Sequence, residues 1–383
     1  MSNQKKKTDH YLVRYVSITL LAFGIVGVYA LLALNLKVFS PVAKAIGDYS
    51  FEDFYYQILG STSEQDTSRV VTIVDMTELT DRRQLAELMM EVESFHPKVM
   101  GIDIVYEGLK EDTVGNQMVK EAAKECHTAV FAYKLIDRTD EAIHSFFMPD
   151  DSIKEGFVNM PRQLYGGLKR SLSIGRTHQG ELYPSFLKLV ADQYADQEVV
   201  ELADKELRIN FTPRKFQVVH YDSLYEYKHL ITDRIVLLGA MKEESDMHYT
   251  PLGKMAGTEL LAFGVETLLK NNKVVKFPTW LSWIVSFVVA LIAVILRSLY
   301  LQFAKNERRH PLVSALLSTE LAIGLVVFVI VAMTVWVSFI LFCKFNVSVN
   351  LGFAIAAMAF AFTATNLYET IVKLFNKKIK KKS

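Results

Sequence analysis

Cysteine is nearly absent from this 383-residue chain: Cys126 and Cys343 are the only two, which gives no disulfide framework and no metal-ligand spacing. There is no G-x-S-x-G elbow, no P-loop and no G-x-G-x-x-G, so the sequence marks of three large enzyme classes are missing. No repeat, low-complexity tract or long linker interrupts the chain. Acid is scarce in the apolar runs as well. Glu320 stands at the edge of one, where it reads as an interfacial charge, and a single acid does not make a transporter. The expectation is a non-enzyme with no catalytic residue, no cofactor and no metal.

Net charge is also small, at +1, but it is sharply partitioned. Between Lys37 and Phe277, 28 Lys+Arg face 38 Asp+Glu, a net −10, which leaves 15 against 4, a net +11, for the rest. That basic excess lies beside apolar runs, so it bears on membrane topology and lipid, not on nucleic acid.

Four apolar runs reach the roughly 20 residues that a bilayer requires. They cover 16–36, 280–301, 321–342 and 347–367. Lys5, Lys6, Lys7 and Arg14 precede the first. Arg297, Lys305, Arg308 and Arg309 cluster about the end of the second and the 302–320 segment, and lysines crowd the 368–383 tail. Only Lys344 marks the turn between the third and fourth. With four spans, all three basic clusters fall on one side. Both the N-terminal segment 1–15 and the tail are then cytoplasmic, and 37–277 lies outside. Ala43-Lys44-Ala45 resembles a signal-peptide cleavage site, but the first run exceeds the ~7–15 residues of an h-region, so an uncleaved anchor is expected.

Within 37–277 the pattern is α/β. Val70–Asp75 reads as a buried strand, with Thr80 capping a helix in which Leu85, Leu88, Met89, Val92 and Phe95 share one face. His96-Pro97 ends that helix, and Val99–Val105 is the next strand, so a βαβ unit with parallel strands is expected. A helix over 116–124 and a strand over 128–135 follow, then a Gly166-Gly167 turn and an alternating strand at 169–175 with Ser171 and Ser173 on its polar face. Pro184 starts a helix, 206–211 and 215–221 read as paired strands, 234–240 as a buried strand, and Thr258 caps a last helix. The expected fold is an α/β extracytoplasmic domain with a mostly parallel sheet built on βαβ units, plus four transmembrane helices, one before and three after.

The ordered set IVDMTEL, PKVMGIDIVY, GFVNM, YPSFLKL, DSLYEYKHLITDRIVLLGA, DMHYTPL and AGTELLAFGVETLL resembles the CHASE2 family of bacterial extracytoplasmic sensory domains across about 40–275. The resemblance implies one helix before the domain, three after it, and a role in sensing. Two departures stand out. The tryptophan- and proline-rich turn common after the first strand of relatives is replaced by TELTDRRQ, and only a short tail ending in NKKIKKKS follows the fourth span. The expectation is therefore a receptor that signals to a separate effector in trans, the alternative being a scaffold or assembly subunit of an envelope complex.

Ligands of parallel α/β sheets bind outside the carboxyl ends of the strands. Asp75 and Asp103 fall at two such ends, and Asp246, His248 and Thr250 follow a third, which makes these five the candidate ligand site. At each position the plainer reading is loop bonding or a turn. Glu259 reads as a favourable charge at a helix start. Lys377, Lys378, Lys380, Lys381 and Lys382 are expected on the anionic membrane surface. The expected partners are membrane lipids, a small ligand or envelope protein, the effector, and a second copy in a homodimer.

Overall fold

The computed structural model describes residues 2–35, 50–62, 66–136, 141–161, 167–304 and 311–380. The chain divides into an α/β unit, Glu52–Val274, and an apolar unit made of Met1–Phe51 with Val275–Ser383. Helix α1 (Ser2–Asn35) opens the apolar unit. The α/β unit begins within α2 (Phe51–Thr62) and continues through β1 (Asp66–Asp75), α3 (Arg82–Ser94), β2 (Val99–Ile102), α4 (Thr113–Glu125) and β3 (Ala129–Leu135). Next come β4 (Ala142–Ile143), β5 (Lys154–Phe157), β6 (Ser171–His178), β7 (Glu181–Pro184), α5 (Phe186–Ala195), β8 (Lys205–Arg208) and β9 (Arg214–His220). The unit closes with β10 (Ile235–Gly239), β11 (Met247–Thr250), β12 (Gly253–Ala256) and α6 (Gly257–Leu269).

Strands β1, β2, β3 and β10 are largely aliphatic and buried, as strands of a sheet covered on both faces must be. Six strands run parallel in the order β5-β3-β2-β10-β1-β9, and β4 pairs antiparallel with the end of β3. On one face Val74, Met100, Ile102, Phe131, Val236 and Leu238 pack with Leu85, Leu88, Met89 and Val92 of α3 and Val119 of α4. On the other face α5 comes so close that a Cβ on Gly101 would lie 2.9 Å from the Phe186 ring.

Several expectations are corrected. Strands β1 and β2 are parallel, as the βαβ reading expects, with β10 between them; the other points differ. The expected pairing of 206–211 with 215–221 does not occur: β8 joins β6 in a small antiparallel sheet, β7-β6-β8, while β9 pairs with β1. Asp81, not Thr80, caps α3, its carboxylate accepting from Arg83 N at 2.9 Å. Pro184 ends β7, and Ser185 is the N-cap of α5. Ser173 is buried rather than on a polar face, while Ser171 donates to Glu206. Gly166 lies outside the described residues.

Helix α2 is fixed to the antiparallel sheet by charge. The Arg170 guanidinium holds Asp53 with bonds of 2.9 and 2.6 Å, and Arg208 grips Glu52 through both carboxylate oxygens. Glu52 and Asp53 are buried, so these pairs supply the hydrogen bonds that buried carboxylates demand. A further buried carboxylate, Glu266 on α6, takes bonds from Ser68, Arg214 and Lys270.

In the apolar unit, β13 (Val275–Lys276) pairs with β14 (Val347–Ser348), and α7 (Thr279–Ala304), α8 (Pro311–Leu317) and α9 (Glu320–Phe345) lie between them. After β14 come α10 (Gly352–Ala359) and α11 (Ala361–Lys380). Tyr11–Leu32 of α1, α7 and α9 are long and apolar enough to cross a membrane, and α10 with α11 makes a fourth candidate bent by 55°. The fourth apolar run is thus a broken helix. Small residues, Ala22, Ala290, Ala357, Ala361 and Ala364, let α1, α7, α10 and α11 approach closely. Arg14 pairs with Glu369 at 3.0 Å. Arg297 is buried within α7 with its guanidinium over the Phe362 ring, while Lys305, Arg308 and Arg309 lie outside the described residues.

A carboxylate cluster at the rim of the sheet

Register fixes the geometry of the rim. Asp75 pairs with Gly239 on one side of β10, and Ile102 pairs with Leu238 on the other, so Asp103 follows level with Gly239. With strands spaced about 4.8 Å apart, the two aspartates stand two strands, or roughly 10 Å, from one another. They have different surroundings.

Asp75 is spent on its own loop. One carboxylate oxygen accepts from the Thr77 N–H at 3.0 Å, the Thr77 hydroxyl at 2.5 Å and the Met241 N–H at 3.4 Å. The other lies 3.8 Å from Lys242 Nζ. Burial pushes its pKa up, but the Thr77 and Met241 donors outweigh that and hold it below the ordinary aspartate range.

Asp103 has the opposite balance. It accepts one side-chain bond, from Thr258 Oγ1 at 2.9 Å. Burial and the nearby Asp246 carboxylate push its pKa up to about 6, with Thr258, Lys134 and His248 opposing. His248 Nε2 stands 3.5 Å from Asp246 Oδ1, and the two side chains are 23% and 42% exposed, so solvent and solutes reach this edge of the cluster.

Two glycines let α6 come down onto the rim. A Cβ on Gly239 would lie 1.9 Å from Thr258 Oγ1, and one on Gly257 would lie 2.5 Å from Asp246 Oδ2. The start of α6, with its free N–H groups and partial positive charge, is thereby set beside two carboxylates. Thr258 does not cap this helix, since Ala256 is the N-cap residue; its hydroxyl is turned to Asp103.

The five candidates therefore separate. Asp103, Asp246 and His248 form one cluster, to which the structure adds Thr258 and Lys134. Asp75 is engaged elsewhere. Thr250 is buried in the turn of the β11–β12 hairpin, donating to Gly253 O at 2.9 Å and accepting from Leu252 N at 3.2 Å. Among the described residues no three His, Cys, Asp or Glu side chains are grouped to hold a metal ion. Lys377 is exposed on α11, whereas the side chains of Lys378, Lys380, Lys381 and Lys382 lie outside the described residues. Chemically, the cluster offers two hydrogen-bond-accepting carboxylates, one of them short of donors, beside an imidazole.

No curated protein and no solved structure matches the chain. The CHASE2 domain family matches over residues 19–299, so the chain belongs to that family of sensory extracytoplasmic domains.

Proposed function

From that membership we propose that the chain is a multi-pass sensor of the bacterial inner membrane. Its α/β domain lies outside the cytoplasm and binds a small polar ligand at Asp103, Asp246 and His248. The observation that carries this reading is the Asp103–Asp246 pair. Two carboxylates held near each other at an open rim, with Thr258 alone among the described residues donating to the Asp103 carboxylate, favour a ligand that brings hydrogen-bond donors or positive charge.

In this reading both termini are cytoplasmic, and the basic 302–320 loop and 368–383 tail face anionic lipid and an effector in trans. Each basic residue near the surface adds roughly 1 kcal/mol of lipid attraction. The domain performs no catalysis, and its output is a shift between two arrangements of the helices, which requires a ligand that binds one arrangement more tightly.

Thermal unfolding of the full chain in lipid nanodiscs, against a panel of amino acids, polyamines and divalent cations, tests the site. At least one compound raises the Tm of the wild type and fails to raise that of Asp103→Asn/Asp246→Asn. A panel without effect on either protein contradicts the reading. The scaffold alternative draws on Asp75 and Thr250, whose polar groups are taken up within the fold.

A further inference from the structure

The α/β unit contains a groove of about 770 Å³, well within the range of small-molecule sites. Helix α2, the start of β9, the β11–β12 hairpin and the first turns of α6 form its walls. Tyr56, Phe216, Tyr249 and Phe263 give it aromatic surface, with Phe216 and Phe263 packed edge to face at 5.0 Å. Glu259 enters this groove from the first turn of α6, and among the described residues its carboxylate has no hydrogen-bond or ion-pair partner. Two of the cations on the groove wall are taken: Arg214 by Glu266, and Lys254 by Glu244 at 2.5 Å.

We propose that this groove is a second ligand site, separate from the rim cluster, which takes an organic ammonium with an aromatic or aliphatic body. The Glu259 carboxylate pairs the ammonium, and the aromatic walls cover the body and add cation–π attraction. Burial alone pushes the Glu259 pKa above the ordinary range, because no neighbouring charge offsets it; an ammonium supplies that missing charge. The helix start favours an ionised carboxylate at this position as well.

Successive residues of one helix turn serve the two sites. Gly257 packs on Asp246, Thr258 bonds Asp103, and Glu259 lines the groove. The opposite wall carries Tyr56, Gln57 and Gly60 of α2, the helix anchored through Asp53 and Glu52. An occupant of the groove therefore touches both α6 and α2.

Calorimetric titration of the full chain in nanodiscs with phenethylamine, 2-phenylethanol and 3-phenylpropanoate tests this. Phenethylamine binds, while the neutral alcohol and the carboxylate bind at least tenfold more weakly. Glu259→Gln keeps the Tm of the wild type and lowers phenethylamine affinity at least tenfold. Lys215→Glu, a change at an exposed groove position that adds negative charge, raises the affinity two- to fivefold and needs no alteration of α6. Asp103→Asn leaves the affinity unchanged, so failure of the rim reading and failure of this one are told apart. Equal binding of all three probes, preference for the carboxylate, retained affinity in Glu259→Gln, or weaker binding in Lys215→Glu overturns the proposal.

Discussion

Asp75 and Asp103 stand at the ends of two strands with β10 between them, yet their titrations move in opposite directions: burial pushes both up, the donors outweigh it at Asp75, and burial with Asp246 prevails at Asp103. Among the described residues three donors serve the Asp75 carboxylate, whereas one serves that of Asp103 with Asp246 close by. An acid whose folded pKa lies above its unfolded value stabilises the fold fully below the unfolded pKa. That contribution is lost as pH rises through the folded value, about 6 for Asp103. Relative to Asp103→Asn, the wild type should lose on the order of 2 kcal/mol between pH 4 and pH 7, measured by urea unfolding at several pH values. A wild type and variant with parallel stability profiles would show that Asp103 titrates normally. Gly239 makes a steric prediction at the same scale. Its Cβ position is filled by Thr258 Oγ1, so Gly239→Ala should cost about 1–3 kcal/mol by displacing the start of α6. Gly239→Ala/Thr258→Ala/Asp103→Asn, in which the crowding Oγ1 is removed, should recover part of that loss in the same unfolding assay.

Among the elements, α2 and α6 carry the most charge chemistry. Removing Asp53 takes from the buried Arg170 guanidinium the carboxylate that holds two of its nitrogens, so Asp53→Ala should cost about 3–5 kcal/mol. Faster amide exchange confined to α2 and the β6–β8 sheet is the accompanying signature. Legibility in the sequence follows the range of the interaction at this scale. Strands β1, β2, β3 and β10 announce themselves as continuous buried runs, and α3 by the spacing of Leu85, Leu88, Met89 and Val92. The insertion of β10 between β1 and β2 has no local signal, because strand order is set by contacts distant in sequence. The misread pairing of β8 and β9 has the same origin: two adjacent strand-like runs with a short Thr-Pro-Arg connection look like a hairpin, while each has a better partner elsewhere. Of the site, Asp103, Asp246 and His248 were legible as residues that follow strands. Thr258 was legible only as a polar residue at a helix start, and its bond to Asp103 depends on packing over 155 positions. Lys134 and the groove beside Glu259 exist only in the folded sheet.

For the whole molecule, the division between a net acidic α/β unit and apolar helices with basic flanks is the organising feature. The proposed topology predicts the labelling of single-cysteine variants in which Cys126 and Cys343 have been replaced. A membrane-impermeant maleimide should reach Tyr225→Cys, at a position 82% exposed in the α/β unit, in intact spheroplasts. Lys377→Cys should label only after the membrane is opened. The central claim is that ligand binding outside changes the helices, which a scaffold would not do. Cross-linking of Arg14→Cys to Glu369→Cys by a short bis-maleimide, at positions whose native side chains meet at 3.0 Å across α1 and α11, measures that directly. A compound that raises the Tm should change the rate of this cross-link severalfold, and the change should vanish in Asp103→Asn/Asp246→Asn. A compound that binds and stabilises the domain while leaving the cross-linking rate untouched would contradict the sensor account.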